Sequence, residues 1–210
     1  QHTQKRLASK LKKLIENKIE LLSPSLILNK LKDFGVINTY DLNHINSLSD
    51  NISTAISNKS KILIVRLFDE DIYRIADSLM TKFNYKEILI GAEIVAKALG
   101  ADHIIFALDS KYLKDFNFHN DENHLFIGIN SSEYTSGFSR KLISSINKNL
   151  KKDSIISVSD KDLFVDSYTL YHTYNALIYN IPFINNFIHF SGDCIAASCF
   201  LNVKLGYNLK

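Results

Sequence analysis

Glycine and proline are scarce in this chain of 210 residues, at seven and two. The shortage bears most on the stretch FGVINTYDLNHI, residues 34–45, which follows a helical segment ending at Gly35 and leads toward the first strong strand. A nucleotide-binding α/β domain often carries a glycine loop at such a place, because glycine lets backbone N–H groups approach a phosphate closely. Here the loop positions hold Asn38, Tyr40, Asp41 and Asn43. Thiols are scarce too. Cys194 and Cys199 are the only cysteines, too few for the four thiolates of an ordinary iron–sulfur cluster, and they read as buried free thiols. No apolar run approaches the length that spans a bilayer. Residues 1–6, QHTQKR, hold no apolar signal core, so a cytoplasmic location is expected. Charge of one sign is also lacking. Twenty-five basic residues against 22 acidic ones leave +3, too little to imply nucleic acid or an anionic lipid surface as partner.

What is present is a globular composition, 46% hydrophobic and 22% charged, sufficient for one sizeable domain or two small ones. Asn, Lys and Ile abound, as an AT-rich coding sequence would produce, and carry no functional weight. Leu7, Leu11, Leu14, Ile15 and Leu22 keep helical spacing over 6–22, with Lys10, Lys12, Lys13 and Lys18 read as the solvated face. Ser23-Pro24 reads as an N-cap followed by proline at the first helical position, and Gly35 as the stop after the second helix. Strands are expected at 61–68, 103–108, 124–129, 155–158 and 183–190, and helices at 72–82, 85–99, 137–150 and 165–179. The alternation predicts an α/β fold: a Rossmann-like parallel sheet flanked by helices, behind an N-terminal helical segment. The polar segment 114–124 holds His119, Asp121, Glu122 and His124, which are metal ligands by type. Their spacing matches no zinc or calcium motif, and a solvated loop is the expectation.

Four strings taken in order carry a family resemblance. VRLFDEDIYRIAD (65–77) resembles the segment Asn-Ala-x-Glu-x-Glu-Pro-Tyr-x-x-x-Asp of the C subunit of the Rnf electron-transport complex, and is similar to the flavin-carrying, NADH-binding subunit of respiratory complex I. EILIGAEIVAKALGADHIIFALDSK (87–111) resembles that family's next helix and strand. YTSGFSRKLI (134–143) resembles its Tyr-Pro-x-Gly-x-x-x-x-Leu-Ile segment. LYHTYNALIYNIPFINNFIHFSGD (170–193) resembles the helix, proline and strand that end in Thr-Gly-Asp and lead into a ligand-binding β-domain. No single string is diagnostic. The order and spacing of all four are more specific, over about two-thirds of the chain.

The resemblance implies three regions: N-terminal helices at 1–34, an α/β flavin-fold domain at 35–193, and at 194–210 the start of a following β-domain, so that the native chain is expected to continue. It also places an FMN site. The family's Gly-x-x-Gly-x-Gly-Gly-Ala-Gly-Phe-Pro-Thr loop survives here only as Gly35, with Asn38, Tyr40, Asp41 and Asn43 where other loop residues would be. Arg66 stands where the family has a flavin-contacting asparagine. Asp69 and Asp71 keep acidic character, and Asp77 matches the family's aspartate. Gly137 matches the glycine of its segment, while Ser139 replaces a glutamate. Asp166 and Tyr168 replace the Asn and Gly that open the last helix, and Thr169 is retained. An aspartate in place of an asparagine at a phosphate-facing helix start turns a donor into a repelling anion.

These substitutions imply an eroded site on a retained scaffold. Residues 36–46 are expected to form an ordered turn, packed by Tyr40 and Leu42, in the family's flavin-phosphate space. The acidic group Asp69, Glu70, Asp71 and Asp77 reads, apart from the family, as a solvated helix start. Two functions follow from the resemblance. One is a peripheral subunit or domain of an NADH-linked electron-transfer complex with a degraded flavin and NADH site, inactive in isolation. The other is a non-catalytic binding or assembly module that keeps only the fold. An unrelated α/β enzyme using the acidic cluster is a third reading, but no nucleophile and base pair by spacing. No cofactor is expected in isolation, FMN being the ancestral one. The implied partners are other subunits or domains of a membrane-associated complex, with the chain peripheral at the inner face of the membrane, neither spanning it nor binding nucleic acid.

Overall fold

The structure, a computed structural model, describes residues 13–41, 43–69, 76–113, 120–132, 135–150, 156–190 and 199–204. Its centre is a four-stranded parallel sheet of β3 (Ile62–Arg66), β4 (His103–Asp109), β5 (His124–Ile129) and β6 (Leu163–Asp166), in the spatial order β5-β4-β3-β6. A strand covered on both faces can be apolar throughout, and ILIV in β3 is such a run. Successive side chains still part to opposite faces. Leu63 and Val65 join the core beneath helices α2 (Pro24–Asp33), α3 (Leu48–Ser57), α4 (Ala76–Leu99) and α6 (Ser167–Tyr179). Ile64 joins a second core with Leu142 and Ile146 of α5 (Ser139–Asn149). The expected α/β architecture is therefore present.

Residues 13–20 are helical (α1), and the Lys97 ammonium closes that helix by donating to the Ile19 and Glu20 carbonyls at 2.8 and 2.9 Å. Lys18 is not merely solvated, as its helical phase suggested. Its ammonium donates to the Ile178 carbonyl at 2.5 Å, satisfying an orphan acceptor at the end of α6. Lys10 and Lys12 lie outside the described residues. Ser23 caps α2 by accepting from the Leu26 amide, with Pro24 at the first helical position. Gly35 turns the chain out of that helix at φ +65°, where a side chain would be strained.

The expected helices at 72–82 and 85–99 meet where the gap between them was expected: α4 is two helical segments joined at a kink at Asn84, whose backbone (φ −131°, ψ 28°) is not helical, and residues 72–75 lie outside the described residues. Helix α3 was not legible: LSDNISTAIS is rich in polar and β-branched residues, and only Leu48, Ile52 and Ala55 anchor it in the core.

The expected strand at 155–158 is a correction. Residue 155 is outside the described residues, and 156–158 form no strand. Val158 still inserts into the second core, but its backbone N–H and C=O are both taken by the Asn147 side chain (2.9 and 2.8 Å), which stands in for a neighbouring strand. The fourth strand is instead LFVD at 163–166, paired in parallel with β3, and the helix after it starts at Ser167 rather than at 165. The run 183–190 does supply a strand, β7 (Asn185–Phe190). It pairs antiparallel with β8 (Cys199–Lys204) in a separate two-stranded sheet. Cys194 and the side chain of Cys199 lie outside what is described. A short antiparallel pair, β1 (Ile37–Asn38) and β2 (Asn46–Ser47), brackets the loop in question. No described helix is long and apolar enough to cross a membrane.

Candidate functional site

From β3 the sheet grows in one direction through β4 and β5, and β6 is then added on the other side of β3. The order in which strands are added thus reverses between β3 and β6, which themselves run parallel. In open α/β sheets the ligand crevice lies outside the carboxyl ends of the strands at such a switch point. The two strands end here in register partners, Arg66 and Asp166.

Both side chains are fully buried, as is Asp77 from the first turn of α4. The Arg66 guanidinium lies 3.2 Å from Asp77 Oδ2 and 3.8 Å from Asp166 Oδ2. It also donates from Nη1 to the Gly137 carbonyl at 3.2 Å. The Tyr40 ring covers it, 4.5 Å from the guanidinium carbon to the ring centroid, and the Tyr40 hydroxyl donates to the same Gly137 carbonyl at 2.9 Å. Tyr40 packs in turn on Phe164, with ring centroids 5.4 Å apart.

Each carboxylate is also hydrogen-bonded, as burial demands. Asp166 caps α6 by accepting from the Thr169 amide at 2.8 Å, and it accepts from the Thr39 hydroxyl at 2.7 Å. Thr39 donates its own amide to Thr169 Oγ1 at 3.0 Å. Asp77 accepts from the Ser167 hydroxyl at 2.8 Å. Asn38 donates from its side chain to the Phe164 carbonyl at 2.9 Å, so residues 38–40 close the outer edge of β6. Asp69 stands beside this group and accepts from the amide and the hydroxyl of Ser78. Burial raises its carboxyl above the usual aspartate value despite those bonds.

Seven of the residues singled out from the sequence thus converge: Asn38, Tyr40, Arg66, Asp77, Gly137, Asp166 and Thr169. Two do not. Asp41 and Asn43 are exposed, and Asp41 folds back on its own turn, accepting from the Asn43 amide at 3.0 Å and bonding His44 at 3.1 Å. Burial alone would raise the Asp41 carboxyl, but the bonds from Asn43 and His44 hold it below its ordinary value. Asp71 and Leu42 lie outside the described residues.

Asp77 corrects the reading of the acidic run as a solvated helix start. It is fully buried because a cation from β3 meets it. Thr39 and Ser167 were missed. Each adjoins a residue that was identified, and small hydroxyl residues beside a buried acid are the usual means of satisfying it. Tyr168 packs edge-on against His172 and Phe183.

The arrangement pairs its charges internally, one guanidinium against two carboxylates, and holds them in place. The guanidinium, the donor a phosphate would use, is already committed to two carboxylates and a carbonyl. No group of three or more His, Cys, Asp or Glu among the described residues is placed to hold a metal ion. In the polar loop, His124 is instead bonded to Asp121 at 2.9 Å and Glu93 at 2.5 Å. Burial would lower its pKa, but these partners raise it. His119 lies outside the described residues.

No family model and no curated protein matches the chain. Solved structures do. It is similar to NAD+-reducing [NiFe]-hydrogenase in the air-oxidized state, with a TM-score of 0.60 at 15% identity, over 74% of this chain and 30% of that one. The match to the same enzyme in the H2-reduced state has a TM-score of 0.60 at 16% identity, over 75% of this chain and 31% of that one. At such identity the likeness is one of fold. This α/β domain thus has the architecture of a part, under a third, of a chain from an NAD+-reducing hydrogenase.

Proposed function

We propose that this chain is a domain of an NADH-linked electron-transfer assembly of the Rnf and complex I kind, in which the flavin site has been replaced by protein. It serves there as a non-catalytic assembly element, built against other subunits or domains of a membrane-associated complex and inactive in isolation. The observation that carries this reading is the buried Arg66–Asp77–Asp166 group at the switch point. FMN in the ancestral place would have to displace the Tyr40 ring and the 38–40 segment. It would then bring a phosphate toward a buried group with two carboxylates and only one guanidinium, a net negative charge. The matched strings and the shared fold support the lineage, and the filled crevice supports the loss of redox work.

Titration of the purified protein with FMN, followed by flavin fluorescence, tests this. The expected result is no saturable quenching, a colourless preparation, and no NADH-dependent reduction of an artificial acceptor. Saturable binding at about micromolar concentration or tighter would overturn the proposal.

A further inference from the structure

At the opposite end of β6 from Asp166 lies a second feature that the plugged crevice does not absorb. A cleft of about 240 Å3 opens between α3, the stretches 38–41 and 44–46, and the 160–162 turn that leads into the strand. Its floor is apolar, from Ala55, Leu163 and Phe164. One wall is a helix face on which Asn51, Thr54, Ala55 and Asn58 fall at the i, i+3, i+4, i+7 spacing of a single stripe.

The polar groups around it divide in two. Asp162 is committed to the fold, accepting from the Ser60 hydroxyl and the Ser159 amide, both at 2.8 Å. Asp41 is committed to its own turn. The side chains of Asn51, Asn58, Asp160 and Lys161, by contrast, make no hydrogen bond or ion pair among the described residues. Two amides offer both donors and acceptors, Asp160 adds acceptors and Lys161 adds donors.

Three properties select the ligand. Three carboxylates, Asp41, Asp160 and Asp162, face one ammonium, Lys161, so the lining disfavours an anion. A purely cationic ligand would use the acceptors and leave two amide N–H2 groups and Lys161 facing like donors. A hydroxyl is donor and acceptor at once and satisfies both kinds. The volume lies below the roughly 300–1,000 Å3 of sites for drug-sized ligands, which suits one small ring over an apolar floor. We propose that this cleft binds a neutral polyhydroxyl ligand of single-ring size, a monosaccharide. Asn51, Asn58, Asp160 and Lys161 engage its hydroxyls, and Ala55, Leu163 and Phe164 face its C–H surface.

The test is amide NMR of the whole chain, titrated separately with glucose, galactose, ribose and N-acetylglucosamine, and with a hexose phosphate and arginine as charged counterparts. The expected result is that at least one neutral sugar shifts the Asn51 and Asn58 side-chain amides saturably, with a dissociation constant of about 1 mM or tighter. The hexose phosphate should bind more weakly. The Asn51→Ala/Asn58→Ala variant should bind that sugar at least about tenfold more weakly, with the rest of its spectrum unchanged. Should that variant fail to fold, Asp160→Ala, at an exposed turn, carries the same expectation. No shift with any neutral sugar up to about 50 mM, equal binding by the folded variants, or a response to arginine alone would overturn the assignment.

Discussion

The two ends of β6 are built from the same neighbours to opposite effect. At the carboxyl end, Asp166 meets Thr39, Thr169 and Arg66, all buried, and every charge has a partner inside the protein. At the amino end, Asp160 and Lys161 are exposed and Asn51 and Asn58 face a cleft with their side chains uncommitted. Asn38 and Tyr40 border both. The difference teaches how polar residues are to be read. Seven residues marked from sequence as a binding site turn out to bond one another, while the residues free to bind something else drew no notice. A polar cluster is a site when its hydrogen-bonding capacity is unspent, not when it is large.

Arg66→Met attacks the closed end most directly. It strands two carboxylates in the interior, and removing one partner from a buried ion group costs about 3–5 kcal/mol. Urea unfolding should show a loss of that order. Adding Asp77→Asn and Asp166→Asn should recover much of it, since an uncharged cluster no longer needs the cation. A loss below about 1 kcal/mol would mean that this end is as open to water as the other.

Next in size is an effect of pH beside the same cluster. His172 is 6% exposed, lies among the rings of Tyr168, Tyr171 and Phe183, and has no hydrogen-bond partner at Nε2. Burial holds its pKa down at about 4, with the Asp166 charge opposing only in part. The unfolded chain therefore takes up a proton near pH 6.5 that the folded chain refuses. Stability rises with pH and is lost as pH falls from about 6.5 to about 4, by roughly 3 kcal/mol for this group. His172→Phe should flatten that slope in thermal melts. Asp69, with its carboxyl raised, has the opposite sign: its contribution falls as pH rises through its own range.

Helix α6, which seats Asp166, Thr169 and His172, lies hard against α4 at Gly91. A Cβ there would run into the Leu170 backbone carbonyl, so Gly91→Ala should cost about 1–3 kcal/mol through a forced shift of two packed helices. Crystal or NMR comparison should then show Asp166 displaced from Arg66. Tyr40→Phe keeps the ring over Arg66 and deletes one bond to Gly137, for about 1 kcal/mol by urea unfolding. Smallest is Asp160→Ala at the open end, which should lie within about 0.5 kcal/mol of the parent. A cost equal to that of a charge change at Arg66 would erase the contrast between the two ends.

Much of the scaffold was legible because its signals are local. KILIVRLF and HIIFAL are strands by apolar length, and Ser23-Pro24 and Gly35 bracket a helix by side-chain and backbone chemistry that needs no distant partner. What misled was of another kind. IISV at 155–158 has strand composition, yet its final valine, Val158, is held by an asparagine side chain from α5. LFVD, only four residues, is a strand because β3 offers it an edge. Helix α3 exists because three apolar side chains find the core, against weak helix propensity around them.

The sequence by itself determined the alternation of strand and helix, hence a parallel sheet, and it determined that no glycine follows Gly35 in the loop where a phosphate would need bare backbone. Both are properties of neighbouring residues. Only the tertiary structure decided what Arg66, Asp77 and Asp166 do. Each has the chemistry of a ligand contact, and whether a charge is offered to a ligand or consumed within the protein depends on which distant side chain reaches it. Arg66 comes from β3, Asp77 from the first turn of α4 and Asp166 from the end of β6. Burial then makes their pairing obligatory, since a charge in the interior without a partner is strongly destabilising.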